Sequence, residues 1–148
     1  MIEVQAPNIP KGEVRLFLAG SIEMGAAEDW QEYLLEALSG DEQLVIYNPR
    51  RWDWNANWEQ SIDSPKFREQ VEWELNALHS ADIIMMYFDP RTKSPITLLE
   101  LGLHAQGRKL IVICPEGYWR KGNVDIVCEF YGINTMKSLD EFIEFMVR

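Results

Sequence analysis

The chain has 148 residues, a formal net charge of -10 and 47% hydrophobic residues. That length suits one domain over residues 1–148 with a sizeable core. The charge argues against gripping duplex nucleic acid, which needs a basic face, and no apolar run approaches the ~18 residues of a membrane span.

The acidity leaves room for a small nucleoside or nucleotide in a pocket. Met1 to Gly12, with Pro7 and Pro10, reads as a loose lead-in. It lacks the basic-then-apolar layout of a signal peptide, so a cytoplasmic protein is expected. In that compartment Cys114 and Cys128 are expected to be thiols, and Cys114, at the end of an apolar run, to be buried.

Val14 to Ala19 is an apolar run ending at Gly20, which predicts a first buried strand. Gly20-Ser21-Ile22-Glu23-Met24-Gly25 is the turn out of it. Ala26 to Leu38 carries Trp30, Tyr33, Leu34, Ala37 and Leu38 at helical spacing and stops before Gly40. Leu44 to Tyr47 is a second strand, closed by Asn48-Pro49. Arg50 to Asp63 has no period and reads as a long loop, with Trp52, Trp54 and Trp58 crowded into it. Ser64-Pro65 opens a helix to His79. Asp82 to Tyr87 is the third strand. Ser94-Pro95 repeats the opening signal for a helix to Gln106, with Gly107 as its stop. Lys109 to Cys114 is the fourth strand and Pro115 to Asp125 a loop. Ile126 to Phe130 fits either a short strand or a helix. Ser138-Leu139-Asp140-Glu141 fits a capping box before a last helix.

Continuous apolar strands alternating with helices predict a parallel sheet covered on both faces. The expected fold is α/β, a doubly wound, flavodoxin-like sheet of about five strands in the order 2-1-3-4-5. Ligands in such sheets sit beyond the carboxyl ends of the strands. The segments Gly20–Gly25, Asn48–Trp58 and Asp89–Ser94 are therefore the candidate site.

Glu100 lies about one and a half turns into its helix among Leu98, Leu99, Leu101 and Leu103. A carboxylate buried there costs several kcal/mol unless it is paired or useful. By periodicity alone it reads as a solvated side chain, or as the partner of His104 one turn on. Glu74 is a second candidate. Two carboxylates at one site can divide into a nucleophile and an acid-base group, whereas Glu69, Glu72 and Glu74 also read as an acidic solvated face. The turn at Gly20 offers backbone donors for an anion or a sugar hydroxyl. Asn48, Arg50, Arg51 and the tryptophans suit a base and a phosphate, or an interface. His79 and His104 lack metal-ligand spacing, so no metal and no cofactor are expected.

Gly20-Ser21-Ile22, Asn48-Pro49-Arg50-Arg51, Ala81-Asp82 and Thr97-Leu98-Leu99-Glu100-Leu101-Gly102, with Ala105 behind it, resemble the nucleoside 2-deoxyribosyltransferase superfamily, in particular its deoxyribosyltransferase-like branch. The resemblance covers Val14 to Ile133. It implies cleavage of the N-glycosidic bond of a 2'-deoxyribonucleoside. Glu100 matches the family nucleophile that holds a covalent deoxyribosyl intermediate. Glu74, eight positions before Asp82, matches the acid that meets the base. Gly20, Ser21, Ile22, Asn48, Arg50, Asp89 and Ser94 match the substrate-binding segments. Ser94 stands where the transferases carry a sugar-holding Asp, and Leu16 where they carry a Tyr. Glu23 stands where a sister branch, which hydrolyses deoxynucleoside monophosphates, has a basic residue. The resemblance also implies at least a homodimer, with Asn123 and Asp125 near a neighbour's pocket. Beside transfer stand two other readings, hydrolysis of a nucleotide or NAD-like N-glycoside and a catalytically silent nucleotide-binding module.

Overall fold

The computed structural model describes residues 1–6, 14–22, 28–51 and 57–148. Its centre is made by the four apolar runs, which become β2 (Val14–Gly20), β3 (Leu44–Tyr47), β4 (Ile83–Tyr87) and β5 (Leu110–Ile113). Two short edge strands, β1 (Ile2–Val4) and β6 (Asn134–Met136), complete a six-stranded sheet in the order β1-β3-β2-β4-β5-β6. Every pairing is parallel, with Leu16 opposite Ile46 and Ile83, and Ile84 opposite Leu110.

Five helices cover this sheet: α1 (Trp30–Ala37), α2 (Pro65–Ser80), α3 (Pro95–His104), α4 (Lys121–Tyr131) and α5 (Leu139–Met146). Because strand side chains alternate, each strand feeds two cores. Phe17, Ala19, Ile84, Met86 and Val112 pack with Ala77, Leu78, Leu101, Val124 and Cys128 from α2, α3 and α4. Leu16, Leu18, Met85, Ile111 and Ile113 pack with Trp30, Leu34 and Phe142 from α1 and α5. This is the expected doubly wound arrangement, and without β1 the strand order is the one expected.

Three segments differ from the sequence reading. Part of the supposed lead-in is β1, which pairs with β3 and receives Asn48 N–H on Val4 O at 2.8 Å. Residues 126–130 are helical and belong to α4, which already starts at Lys121 within the supposed loop. The last strand is Asn134–Met136, held by β5. Among the smaller adjustments, the first helix is described from Trp30, where the Asp29 carboxylate caps Glu32 N–H at 3.0 Å. The capping box at Ser138 is present, with Glu141 N–H donating to Ser138 Oγ at 3.1 Å. The Glu141 carboxylate reaches Lys137 N–H at 2.7 Å. Both cysteines are free and buried. No described helix is long and apolar enough to cross a membrane.

Two contacts fix α2 and β4 in place. Asp82 accepts from Arg15 N–H at 2.8 Å while its own N–H donates to Arg15 O, which sets the register of β4 against β2. The Lys109 ammonium donates to the carbonyls of Leu78, His79 and Ala81, closing the carboxyl end of α2 with a cation where its dipole is negative.

Candidate active site

Helix α3 inverts the usual amphipathic pattern. Its buried face carries Thr97, Glu100 and Leu101. Its outer face carries Ile96, Leu99 and Leu103, which are 60%, 59% and 57% exposed. Glu100 itself is only 7% exposed. The solvated-side-chain reading is thus overturned for Glu100, and no ion pair joins it to His104. A helix that buries its carboxylate and exposes Ile96, Leu99 and Leu103 works against the hydrophobic effect on both faces.

Glu100 meets Glu74, which projects from α2 on the same side of the sheet. Burial lifts the Glu100 carboxyl well above the ordinary carboxylate range, and the nearby Glu74 charge lifts it further. Burial likewise raises Glu74, and the Gln70 amide opposes that rise by hydrogen bonding to it. Two carboxyls in such a place disfavour two charges, so together they retain a proton near neutral pH. One is then an acid while the other is a nucleophile or base. The acidic-face reading fits Glu72, which pairs with Arg68 in solvent, and fails for Glu74.

The carboxyl ends of β2 and β4 supply a cluster of hydroxyls. Ser21 Oγ bonds Thr92 Oγ1 at 2.8 Å and Ser94 Oγ, and Thr92 Oγ1 lies 2.8 Å from Ser94 Oγ. Asp89 N–H donates to Ser21 Oγ at 3.0 Å. Ser94 occupies the N-cap position of α3 with Pro95 behind it, but its φ of 47° turns the hydroxyl to this cluster rather than to the helix. Gly20 is required there. With φ at 149°, a Cβ on it would lie 2.4 Å from Tyr87 O and 2.7 Å from Trp30 Cζ2. Trp30 Nε1 in turn donates to Ser21 O at 3.0 Å. Ile22 follows, and Glu23 to Gly25 of this turn lie outside the described residues.

The other candidate side chains have partners within the chain. Asn48 donates to Glu3 Oε1 and accepts from Arg50 N–H, both at 3.0 Å. Arg50 reaches Glu28 O at 3.0 Å and Asp29 at 3.7 Å. Arg51, buried, pairs with Glu69 at 3.2 Å, and its guanidinium lies 5.4 Å from the centre of the Trp58 ring. Trp52 and Trp54 lie outside the described residues. Asp89 is buried, and Arg91 donates to it from N–H, Nε and Nη2. Asn123 and Asp125 are exposed on α4, where Asp125 pairs with Lys121 at 3.1 Å.

Two further residues stand out only in the structure. Leu16, aligned with the family's Tyr, faces the α1 and α5 side. Phe17 is the β2 residue on the carboxylate side, packed on Trp73 with ring centres 6.3 Å apart. Thr92 completes the hydroxyl cluster, and the spacing Thr-Lys-Ser in the loop was its only signal.

A family model described as nucleoside 2-deoxyribosyltransferase like matches residues 13–118. The match includes Gly20, Ser21, Glu74, Ser94 and Glu100 and stops before Asn123. No curated protein matches the chain. A crystal structure of a conserved protein from Enterococcus faecalis V583 is similar to it, with a TM-score of 0.62 and 12% identity over 88% of this chain and 95% of that one. At that identity the likeness speaks for the fold. With the family model spanning most of the sheet and both buried carboxylates, the chain belongs to the nucleoside 2-deoxyribosyltransferase-like family.

Proposed function

We propose that the chain is an enzyme that cleaves the N-glycosidic bond of a 2'-deoxyribonucleoside and passes the sugar to a second base. The observation that carries this reading is the burial of Glu100 beside Glu74 on a helix that leaves Leu99 and Leu103 in solvent. A silent binding module has no use for so costly an arrangement.

In the first step a Glu100 carboxylate oxygen attacks the anomeric carbon. The carbon–nitrogen bond breaks, and Glu74 gives its proton to the departing base. In the second step an incoming base attacks the same carbon, the glycosyl ester to Glu100 breaks, and the base's proton goes to Glu74. Gly20, Ser21, Ile22 and Ser94 hold the sugar end. Asn48, Arg50 and Asp89 shape the pocket rim, because their side chains are already engaged. That engagement also favours a nucleoside over a monophosphate. Arg50, Arg51 and Arg91 each have anionic or carbonyl partners, and an acid stands at position 23.

The apolar stripe Ile96, Leu99 and Leu103, one face of α3 by its spacing, supports a second copy packed on that helix. In that assembly Asn123 and Asp125 belong to the neighbour's pocket. The test of the reaction is chromatography of deoxynucleosides with and without an acceptor base. New nucleoside formed only with the acceptor, and absent with Glu100→Gln, is the expected result. Free base formed equally in both would replace transfer by hydrolysis, and an unchanged Glu100→Gln would remove Glu100 from the chemistry.

A further inference from the structure

Gln70 is a buried polar side chain that the proposed chemistry leaves unused. It lies on α2, one helical turn before Glu74, and is 2% exposed. A primary amide withdrawn from water this far needs its donors and acceptor satisfied. Its Oε1 faces Arg51 Nη1 at 3.4 Å, and its Nε2 donates to Pro49 O at 3.0 Å. These two contacts fix which end of the amide is which, because a guanidinium must meet oxygen and a carbonyl must meet N–H. The second N–H of the amide is spent on neither of them, and Glu74 lies one helical turn on along the same helix face.

The chain of contacts therefore runs from Glu69 through Arg51 to Gln70, one helical turn before Glu74. It ties the segment after β3 to the carboxylate pair. The charged groups facing Glu74 are Glu100 from α3 and, one amide away, Arg51, whose charge Glu69 offsets. From β3, Tyr47 contributes a hydroxyl that is bonded to Ser80 Oγ at 2.8 Å.

We propose that Gln70, oriented by Arg51 and Pro49, is the positioning residue for Glu74, holding one carboxylate oxygen so that the other carries the exchangeable proton. A carboxylic acid free to rotate presents its proton to the leaving base only part of the time. Tethering one oxygen removes that freedom before substrate arrives. The proposal rests on the role given to Glu74 above, yet the contact itself can be read without any turnover.

The experiment uses the full chain with Gln70→Met and Gln70→Asn, carboxyl-labelled glutamate, and Glu74→Gln for assignment. The Glu74 carboxyl titration is followed by carbon NMR, and base exchange is followed as a function of pH. Losing the amide donor should move the Glu74 titration to higher pH in both variants. The kcat for exchange should fall about tenfold, with KM within about twofold, and the pH–rate limb should move with the titration. Gln70→Asn keeps an uncharged amide but draws it back from Glu74 by one methylene, so it carries the test if the apolar variant does not fold. A folded variant whose Glu74 titration stays at the wild-type position overturns the proposal, whatever its activity. A wild-type chain that exchanges no base, while Glu74 still moves in the variants, overturns the reaction and leaves the contact standing.

Discussion

Glu100→Gln should make the protein more stable, by an amount that grows as pH rises from the ordinary carboxylate range to about 8. The Glu100 carboxyl is raised above its ordinary value by burial and by Glu74. The folded chain therefore holds a proton that the unfolded chain releases. Stability is full below the unfolded carboxylate range and is lost as pH rises through the raised folded value. Above that value a charge sits among Leu101, Thr97 and the Glu74 carboxylate with little solvent. Raising the carboxyl from the ordinary 4.5 to about 8, a rise shared with Glu74, costs on the order of a few kcal/mol once the pH is high enough to remove the proton. Glutamine has nearly the same shape and carries no charge. For a chain of this size the gain corresponds to roughly 3–10 °C in Tm. Thermal unfolding of both proteins at about pH 4 and about pH 8.5 reads it directly. The expected result is near-equal Tm at the acid pH and a more stable variant at the alkaline one. A difference independent of pH, or a variant less stable at both, would refute a buried Glu100 that shares a retained proton with Glu74.

Two further predictions test the frame around the pair. Gly20→Ala forces a methyl group against Tyr87 O and the Trp30 ring, so it should cost about 2–4 kcal/mol in denaturant unfolding, more than an ordinary surface change; a loss below about 0.5 kcal/mol would contradict the close approach. Leu99→Lys with Leu103→Lys should leave the circular dichroism spectrum unchanged and shift light-scattering mass from dimer or larger to monomer; an unchanged mass would remove the α3 face from the assembly.

The central sheet was legible because Leu16–Ala19, Leu44–Tyr47, Ile83–Tyr87 and Leu110–Ile113 are unbroken apolar runs, as buried parallel strands require. The edge strands were not legible. β1 buries one residue of three, and β6 is Asn-Thr-Met with none fully buried. Helix α4 was ambiguous because Val124, Ile126 and Val127 suit a strand and its cap, Arg120, makes no side-chain bond. At the site, periodicity pointed the wrong way for Glu100, since hydrophobic spacing assumes that leucines go inside. It was the family pattern, and the spacing from Glu74 to Asp82, that pointed to the pair. Asn48 and Arg50 read as free ligand groups because no local rule reveals that Glu3, Glu28 and Asp29 come to meet them. Gln70 gave no signal at all. One glutamine in a run of polar helix residues looks solvated until Arg51 and Pro49 are placed beside it.

The central claim is that Glu100 bonds to the sugar, and one measurement bears on it most directly. The protein is incubated with a 2-fluoro-2-deoxyarabinosyl nucleoside, whose fluorine slows breakdown of the ester more than its formation, and the intact mass and peptides are then read by mass spectrometry. The expected result is a single added fluorosugar on the peptide containing Glu100, absent in Glu100→Gln and released by an acceptor base. A fully unmodified protein that still releases base from deoxynucleosides, or a label on another residue, would contradict it.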